Sequence, residues 1–278
     1  MTIPKGKLIA VGGAEERSNR VSKGKLEVLR RILREVSGKN SVIEIITTAS
    51  GIPNQVGKEY EDAFNYLGCT NSKHMAIRNR RDAEKKDFIS RIKSCNGIMF
   101  SGGDQTKLSE VFLESEILEI MMQRYHTEEG FVIAGTSAGA MAQSEKMING
   151  GTPVETLKKG RAKLKQGLGF INTAIIDSHF INRGRFGRLV VAVAEHPALM
   201  GIGISEDTGV IIKENRFLEV IGSNQVILVD GKDLKYNSAA FNTERTINLE
   251  YIIFHLFSKG THFDIQERKI ANEEQMVH

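Results

Sequence analysis

The chain has 278 residues, of which 40% are hydrophobic and 26% are charged, and its formal net charge is +4 at pH 7. This composition fits a soluble globular protein with a full buried core, and we expect a single α/β domain over residues 1–278. No apolar stretch reaches the length of a secretory signal or of a membrane-spanning helix, so we expect a cytoplasmic protein.

The cysteines and the basic residues do not indicate a metal site or a nucleic-acid site. Cys69 and Cys95 lack CxxC spacing, so we interpret both as packing residues and expect no metal and no cofactor. Basic residues are densest over residues 158–165, without interleaved aromatic residues. This run is typical of a solvated loop or helix face; an acidic partner is the alternative, and we expect neither nucleic acid nor a membrane as a partner.

Strands and helices alternate along the first half of the chain. Short apolar runs predict strands at residues 7–11, 41–48, 75–77, 97–100 and 131–134. Helical spacing of apolar residues predicts helices at residues 25–36 and 56–67, and Asp82 is expected to cap a third helix that ends near Ser94. This alternation predicts a mostly parallel, doubly wound α/β sheet with right-handed crossovers and helices on both faces.

The second half of the chain changes character. Residues 149–169 are expected to form an irregular excursion, and the apolar run at residues 249–256 is too short to assign. Strands are predicted at residues 173–176 and 201–204, with a helix at residues 185–195 between them. The β-rich runs at residues 209–213, 217–221 and 226–229 predict antiparallel additions at the edge of the sheet.

A Gly-Thr-Ser-Ala-Gly sequence at residues 135–139 follows the strand predicted at residues 131–134. We expect Ser137 at a sharp strand-to-helix corner that presents its hydroxyl as a nucleophile. The flanking glycines let neighbouring backbone pass close to the turn, and a helix beginning at Ala138 would direct free N–H groups toward an oxyanion. An ordinary glycine-rich β–α turn is the alternative interpretation.

Two other predicted strands end in glycine pairs, Gly12–Gly13 and Gly102–Gly103. Functional groups collect beyond the carboxyl ends of parallel strands, so these turns are expected near Ser137. Neither pair completes a Gly-x-Gly-x-x-Gly sequence, and a dinucleotide site is therefore not favoured.

A nucleophilic serine needs a base, and the base needs an orienting acid. Among the seven histidines, His179 follows a predicted strand end on the same edge as Ser137. Glu206 and Asp207 end the next strand, and Asp177 lies two residues before His179, so spacing leaves the acid open. The order serine, histidine, acid differs from that of the α/β-hydrolases, so we expect a different fold.

Four ordered motifs resemble those of the cyanophycinases, serine peptidases related to the aspartyl dipeptidase called peptidase E. They are Gly-Gly-Asp-Gln at residues 102–105, the serine motif at residues 135–140, Asp-Ser-His-Phe at residues 177–180 with the arginine-rich segment at residues 183–189, and residues 203–208. The resemblance implies a flavodoxin-like sheet of the class I glutamine amidotransferase type and a homodimer.

The same resemblance assigns roles to individual residues. It implies Ser137 as nucleophile, His179 as base and Glu206 as orienting acid, and it places the N–H groups of Gly103 and Ala138 in the oxyanion hole. It also implies a substrate pocket that includes Gln105, Asp177, Arg183 and Arg188.

The implied substrate is cyanophycin, a polyaspartate chain with arginine amide-linked to its side chains, cleaved to β-Asp-Arg dipeptides. Arg183 and Arg188 suit its free carboxylates, because guanidinium pairs bidentately with carboxylate. Ser178 stands where cyanophycinases often have glutamine, and its side chain is expected to face the substrate. Alternatives are an aspartyl dipeptidase acting on short α-Asp or isoaspartyl peptides and a noncatalytic binding module on the same fold.

Overall fold

The structure, a computed structural model, describes residues 3–15, 17, 26–150, 163–240 and 246–271. Most of the basic run, residues 158–162, lies outside the described residues. The described strands are β1 (Lys7–Val11), β2 (Ile43–Ile46), β3 (Ser72–Met75), β4 (Gly97–Phe100), β5 (Val132–Thr136), β6 (Lys146–Ile148), β7 (Leu164–Gln166), β8 (Ala174–Asp177), β9 (Met200–Ile204), β10 (Thr208–Lys213), β11 (Phe217–Gly222), β12 (Val226–Asp230), β13 (Tyr236–Asn237), β14 (Leu249–Glu250), β15 (Ile253–Phe257), β16 (His262–Asp264) and β17 (Lys269–Ile270). The described helices are α1 (Glu27–Glu35), α2 (Pro53–Tyr66), α3 (Arg80–Ala83), α4 (Lys86–Ser94), α5 (Gln105–Phe112), α6 (Glu116–Thr127), α7 (Ala138–Met141) and α8 (Phe186–Glu195), with a 3-10 turn at Ser238–Ala240.

The central sheet of the described chain has nine strands in the order β17–β16–β11–β10–β1–β5–β4–β2–β3. Strands β1, β5, β4, β2 and β3 run parallel to one another. Every residue of β2, β4 and β5 is buried, as expected for parallel strands covered on both faces. The predicted α/β fold with a mostly parallel sheet is confirmed, and β10 and β11 are the antiparallel additions expected toward the C-terminus.

Alternate side chains of each central strand enter two separate cores, because successive residues of a strand point to opposite faces. Ile9 and Val11 pack with apolar residues of α1 and α2. Leu8 and Ala10 pack with α4 to α7 and with residues of β8, β9 and α8. Along the described ranges, no helix is both long and apolar enough to cross a membrane.

A second sheet of four described strands has the order β15–β12–β9–β8. Strand β8 is parallel to β9, whereas β12 and β15 are antiparallel to their neighbours. The strand before His179 therefore does not share a sheet with β5, and the run at residues 226–229 does not extend the central sheet, contrary to both expectations. The physical reason is that β10 pairs with all five residues of β1 and β16 pairs with β11, so these strand edges are already occupied.

Two local predictions also differ from the structure. The helix expected from Asp82 to Ser94 is divided into α3 and α4, because Lys85 between them has extended backbone. The side chain that caps α3 is Asn79, which accepts a hydrogen bond from the Asp82 N–H. Strand β3 begins three residues before the predicted strand at 75–77.

Candidate active site

Ser137 lies at the corner between β5 and α7. Its backbone has φ 51° and ψ −111°, a conformation that residues other than glycine rarely adopt, and its N–H donates to the Val11 carbonyl at 2.9 Å. A Cβ at Gly135 would lie 2.4 Å from the Gly139 carbonyl oxygen, and one at Gly139 would lie 2.5 Å from the Phe100 carbonyl oxygen. The sharp corner expected from the sequence is present, and close backbone packing explains both glycines.

Three side chains form a hydrogen-bonded line at this corner. The Ser137 Oγ lies 3.0 Å from His179 Nε2, and His179 Nδ1 lies 2.7 Å from Glu206 Oε1. Because an ionised carboxylate only accepts hydrogen bonds, Nδ1 carries the proton and Nε2 presents its lone pair to the serine hydroxyl. This is the geometry in which an imidazole removes a proton from a serine.

Glu206 reaches this line because of where the chain changes sheets. Residues 205–207 connect β9 of the second sheet to β10 of the central sheet. His179 follows β8, and its backbone N–H donates to the Gly12 carbonyl at 2.7 Å. The three side chains therefore meet at the junction of the two sheets.

Asp207 and Asp177, the two other candidates for the acid that orients His179, contact different groups. Asp207 accepts a hydrogen bond from the Ser223 hydroxyl at 2.7 Å. Asp177 is fully buried and accepts hydrogen bonds from Arg188. Of the three candidate acids, Glu206 is the one that contacts His179.

Asp177, Ser178 and Arg188 form a buried cluster. Arg188 donates from Nε to Asp177 at 2.6 Å and also from Nη2, and Arg185 donates to the Ser178 carbonyl at 2.9 Å. The Ser178 hydroxyl is fully buried and lies 3.3 Å from Met141 Sδ. Ser178 was expected to face the substrate, and in the structure its side chain is fully buried beside Met141. Burying the Asp177 carboxylate without a cation would be costly, so the ion pair with Arg188 is what allows both side chains to be buried.

The turn at Gly102–Gly103 passes directly against the serine corner. A Cβ at Gly102 would lie 3.2 Å from Ser137 Cβ. Gly103 has φ 141°, and a Cβ there would lie 2.0 Å from the Ala49 carbonyl oxygen, so only glycine fits. Ala138 is the first residue of α7, and an N–H at that position has no acceptor within its own helix. Both N–H groups proposed for the oxyanion hole thus belong to turns adjoining Ser137.

Arg183 and Gln105 occupy different settings. Arg183 is exposed, its backbone N–H donates to the His179 carbonyl at 2.9 Å, and its positive charge acts on the His179 ring. Gln105 opens α5 and donates from Nε2 to the Ile148 carbonyl at 2.9 Å. Of the two arginines expected in the pocket, Arg183 is the one with a solvent-facing side chain.

Two residues near the site were given no individual role from the sequence. The Arg185 Nη1 atom lies 3.4 Å from Asp177 Oδ1, and burial lowers the pKa of this guanidinium to about 10. Glu15 is buried and hydrogen-bonded to Thr136, the residue before Ser137. The sequence feature that could have indicated Glu15 is an acid two residues after the Gly12–Gly13 pair.

Burial lowers the pKa of His179 below its ordinary value of 6.5. The hydrogen bond that His179 donates to Glu206 opposes that change, and the positive charge of Arg183 adds to it. A base must be neutral to accept a proton, and a lowered pKa keeps the imidazole neutral down to lower pH. We therefore expect kcat/KM to fall as the solution is acidified, with the midpoint of the fall below pH 6.5.

A pH profile of kcat/KM measures this midpoint in the free enzyme. Arg183→Met removes a charge that lowers the pKa, so its midpoint should move to higher pH. A midpoint above 6.5 in the unchanged protein would contradict the lowered pKa of His179, and a kcat/KM that did not fall on acidification would contradict its assignment as the base.

A serine, a histidine and a carboxylate in this hydrogen-bonded line, held in an α/β fold, are the arrangement of a serine-type peptidase. The model of Peptidase family S51 matches residues 8–220, a range that contains all three side chains. The chain belongs to peptidase family S51, and it is a serine-type peptidase.

Curated relatives match nearly the whole chain. A cyanophycinase of Geminocystis herdmanii (strain PCC 6308) is 33% identical over 258 residues, covering 92% of this chain and 93% of the relative. A cyanophycinase of Synechococcus elongatus is 32% identical over 271 residues, covering 97% and 82%. One of Trichormus variabilis (strain ATCC 29413 / PCC 7937) is 33% identical over 264 residues, covering 95% and 87%.

Solved structures share the fold. A peptidase from an acI-B1 Actinobacterium has a TM-score of 0.70 at 20% identity, covering 95% of this chain and 98% of that one. A putative peptidase E protein from Listeria monocytogenes EGD-e has a TM-score of 0.52 at 13% identity, covering 79% and 99%. At these identities the likeness concerns the fold alone, and it agrees with the α/β architecture.

Proposed function

We propose that this serine peptidase hydrolyses cyanophycin to β-Asp-Arg dipeptides, with Ser137 as nucleophile, His179 as base and Glu206 as the acid that orients it. The observation that carries the catalytic part is the hydrogen-bonded line from Ser137 Oγ through His179 to Glu206. The substrate is supported by the cyanophycinases that are 32% to 33% identical over most of the chain.

In the proposed reaction, His179 Nε2 takes the Ser137 proton as the hydroxyl oxygen bonds to the aspartyl carbonyl carbon. The N–H groups of Gly103 and Ala138 donate to the resulting oxyanion. The carbon–nitrogen bond then breaks, and His179 returns the proton to the leaving amine. Water repeats the sequence on the acyl-enzyme, which releases the new carboxyl group and restores the serine.

Arg183 is the residue that we propose to contact a substrate carboxylate. It is exposed beside His179, and it forms no ion pair with another described residue. Such a guanidinium is available for bidentate pairing with a carboxylate. Asp177 and Arg188 are already paired with each other. We therefore propose that this buried pair supports the wall of the pocket without contacting the substrate, and that another acid binds the substrate's arginine.

The deciding experiment incubates the purified protein with insoluble cyanophycin and identifies soluble products by mass. We expect β-Asp-Arg, and we expect little release from short peptides with an amino-terminal α-linked aspartate. Cleavage of the short peptides without the polymer would replace this proposal with an aspartyl dipeptidase. The absence of cleavage and of labelling by an active-serine probe would favour the binding module. The homodimer expected from the family resemblance remains a prediction, which light scattering measures.

A further inference from the structure

The end of β1 and the loop that follows it contact the three segments that carry Ser137, His179 and Glu206, the catalytic line. Three successive carbonyl oxygens of this stretch accept backbone hydrogen bonds as follows: Val11 from Ser137 at 2.9 Å, Gly12 from His179 at 2.7 Å and Gly13 from Asp207 at 2.9 Å. Asp207 is the neighbour of Glu206. One short stretch of backbone therefore sets the positions of the nucleophile, the base and the acid relative to one another.

The same loop packs against these segments without room for side chains. A Cβ at Gly12 would lie 2.0 Å from the Ser205 carbonyl oxygen. Gly13 has φ 101°, and a Cβ there would lie 2.4 Å from His179 Nε2. A displacement of the loop would therefore move the imidazole that accepts the Ser137 proton.

Glu15 holds the far end of this loop. Its side chain is buried, with the residue 5% exposed, and its carboxylate accepts one hydrogen bond from the Thr136 hydroxyl at 2.5 Å and another from the Tyr60 hydroxyl. Within the described ranges, Glu15 makes no ion pair with a lysine, arginine or histidine. A buried carboxylate that lacks a cation depends on its hydrogen-bond donors, so the two hydroxyls hold Glu15 in one position.

The two donors differ in one respect that matters for catalysis. Thr136 is the last residue of β5 and immediately precedes Ser137. Tyr60 lies in α2, on the other side of the carboxylate, and is not adjacent to any residue of the catalytic line. Glu15 thus links β5, whose last residue precedes the nucleophile, to the backbone whose carbonyl oxygens accept hydrogen bonds from Ser137 and His179.

We propose that Glu15 is a positioning residue of the peptidase site. It holds Thr136 and residues 11–13 in place, and this keeps the Ser137 hydroxyl within hydrogen-bonding distance of His179. This inference rests on the proposed roles of Ser137 and His179. Glu15 acts through Thr136 and the loop, and its carboxylate makes no hydrogen bond with any of the three catalytic side chains. A displacement of about 1 Å between reacting groups is enough to slow a reaction about a hundredfold.

The test uses a fluorophosphonate probe, in which the Ser137 oxygen displaces fluoride from phosphorus while His179 takes the serine proton. Glu15→Gln should lower the second-order rate constant of labelling about tenfold to a hundredfold. The fraction of molecules finally labelled should stay unchanged, because the site is misaligned in every molecule and not unfolded in some. A merely structural role would lower that final fraction together with the melting temperature.

Two further variants provide a matched comparison, since each removes one of the two hydroxyl groups that donate a hydrogen bond to the Glu15 carboxylate. Thr136→Val should slow labelling about as much as Glu15→Gln, whereas Tyr60→Phe should slow it far less at a similar loss of melting temperature. The Glu15→Gln/Thr136→Val double variant should label no more slowly than the slower single variant, because both changes act on the same hydrogen bond between Thr136 and Glu15.

The outcomes separate this inference from the proposed function. Wild-type labelling without cyanophycin cleavage would overturn the substrate and leave the role of Glu15 standing. Labelling of Glu15→Gln at the wild-type rate, or equal slowing by Tyr60→Phe and Thr136→Val, would overturn the positioning role alone. A wild-type protein that the probe does not label at Ser137 would overturn both.

Discussion

Replacement of Ser137 by alanine should abolish hydrolysis, with kcat lowered on the order of 10⁴- to 10⁶-fold. The change removes the oxygen that forms the acyl-enzyme and nothing else, because alanine keeps the Cβ. The backbone N–H of residue 137 still donates to the Val11 carbonyl, and His179 still bonds Glu206. We therefore expect the melting temperature to stay close to that of the unchanged protein.

Turnover of the substrate and thermal unfolding measure the two parts of this expectation. Ser205→Ala is a suitable control, since Ser205 is a buried serine next to Glu206 whose hydroxyl has no hydrogen-bond partner among the described residues. That variant should keep nearly full activity. Turnover that persists in Ser137→Ala would end the serine mechanism proposed here.

Glu206→Gln should lower kcat by about 10³- to 10⁴-fold while the protein remains folded. A carboxylate accepts a hydrogen bond from His179 Nδ1 and stabilises the imidazolium that forms when the Ser137 proton is transferred. A neutral amide loses that charge, and its NH₂ group favours the tautomer in which Nε2 carries the proton. The imidazole would then face Ser137 with a donor where the reaction needs an acceptor.

The neighbouring acid provides the matched control. Asp207→Asn keeps the backbone bond to the Gly13 carbonyl, and Asp207 bonds Ser223 through its side chain, so this variant should lose little activity. The ratio of the two kcat values is the informative quantity. A large loss in Asp207→Asn together with a small loss in Glu206→Gln would assign the orienting role to Asp207.

The buried pair of Asp177 and Arg188 bears on how the substrate is recognised. Both residues were expected in the substrate pocket from the family resemblance. In the structure each is the partner of the other, and Arg185 lies beside them with a pKa lowered to about 10 by burial. Each of these charges is already paired inside the protein, so we propose that Arg183, the exposed guanidinium of this segment, contacts the substrate carboxylate.

The sequence by itself determined the elements whose causes are local. The glycines at 135 and 139, the β-branched residues before them and the alternation of strands and helices were sufficient to predict the corner at Ser137 and the parallel sheet. Such features depend on backbone sterics and on the period of the apolar residues, which neighbouring residues decide.

Only the tertiary structure decided the features that depend on distant contacts. Residue spacing left Glu206, Asp207 and Asp177 as possible acids, and the structure distinguishes them because the chain crosses between sheets at residues 205–207. The hydrogen bond from Thr136 to Glu15 and the contact of the buried Ser178 with Met141 likewise join segments far apart in the chain. Strand pairing and side-chain burial are set by long-range packing, and no local pattern of residues carries that information.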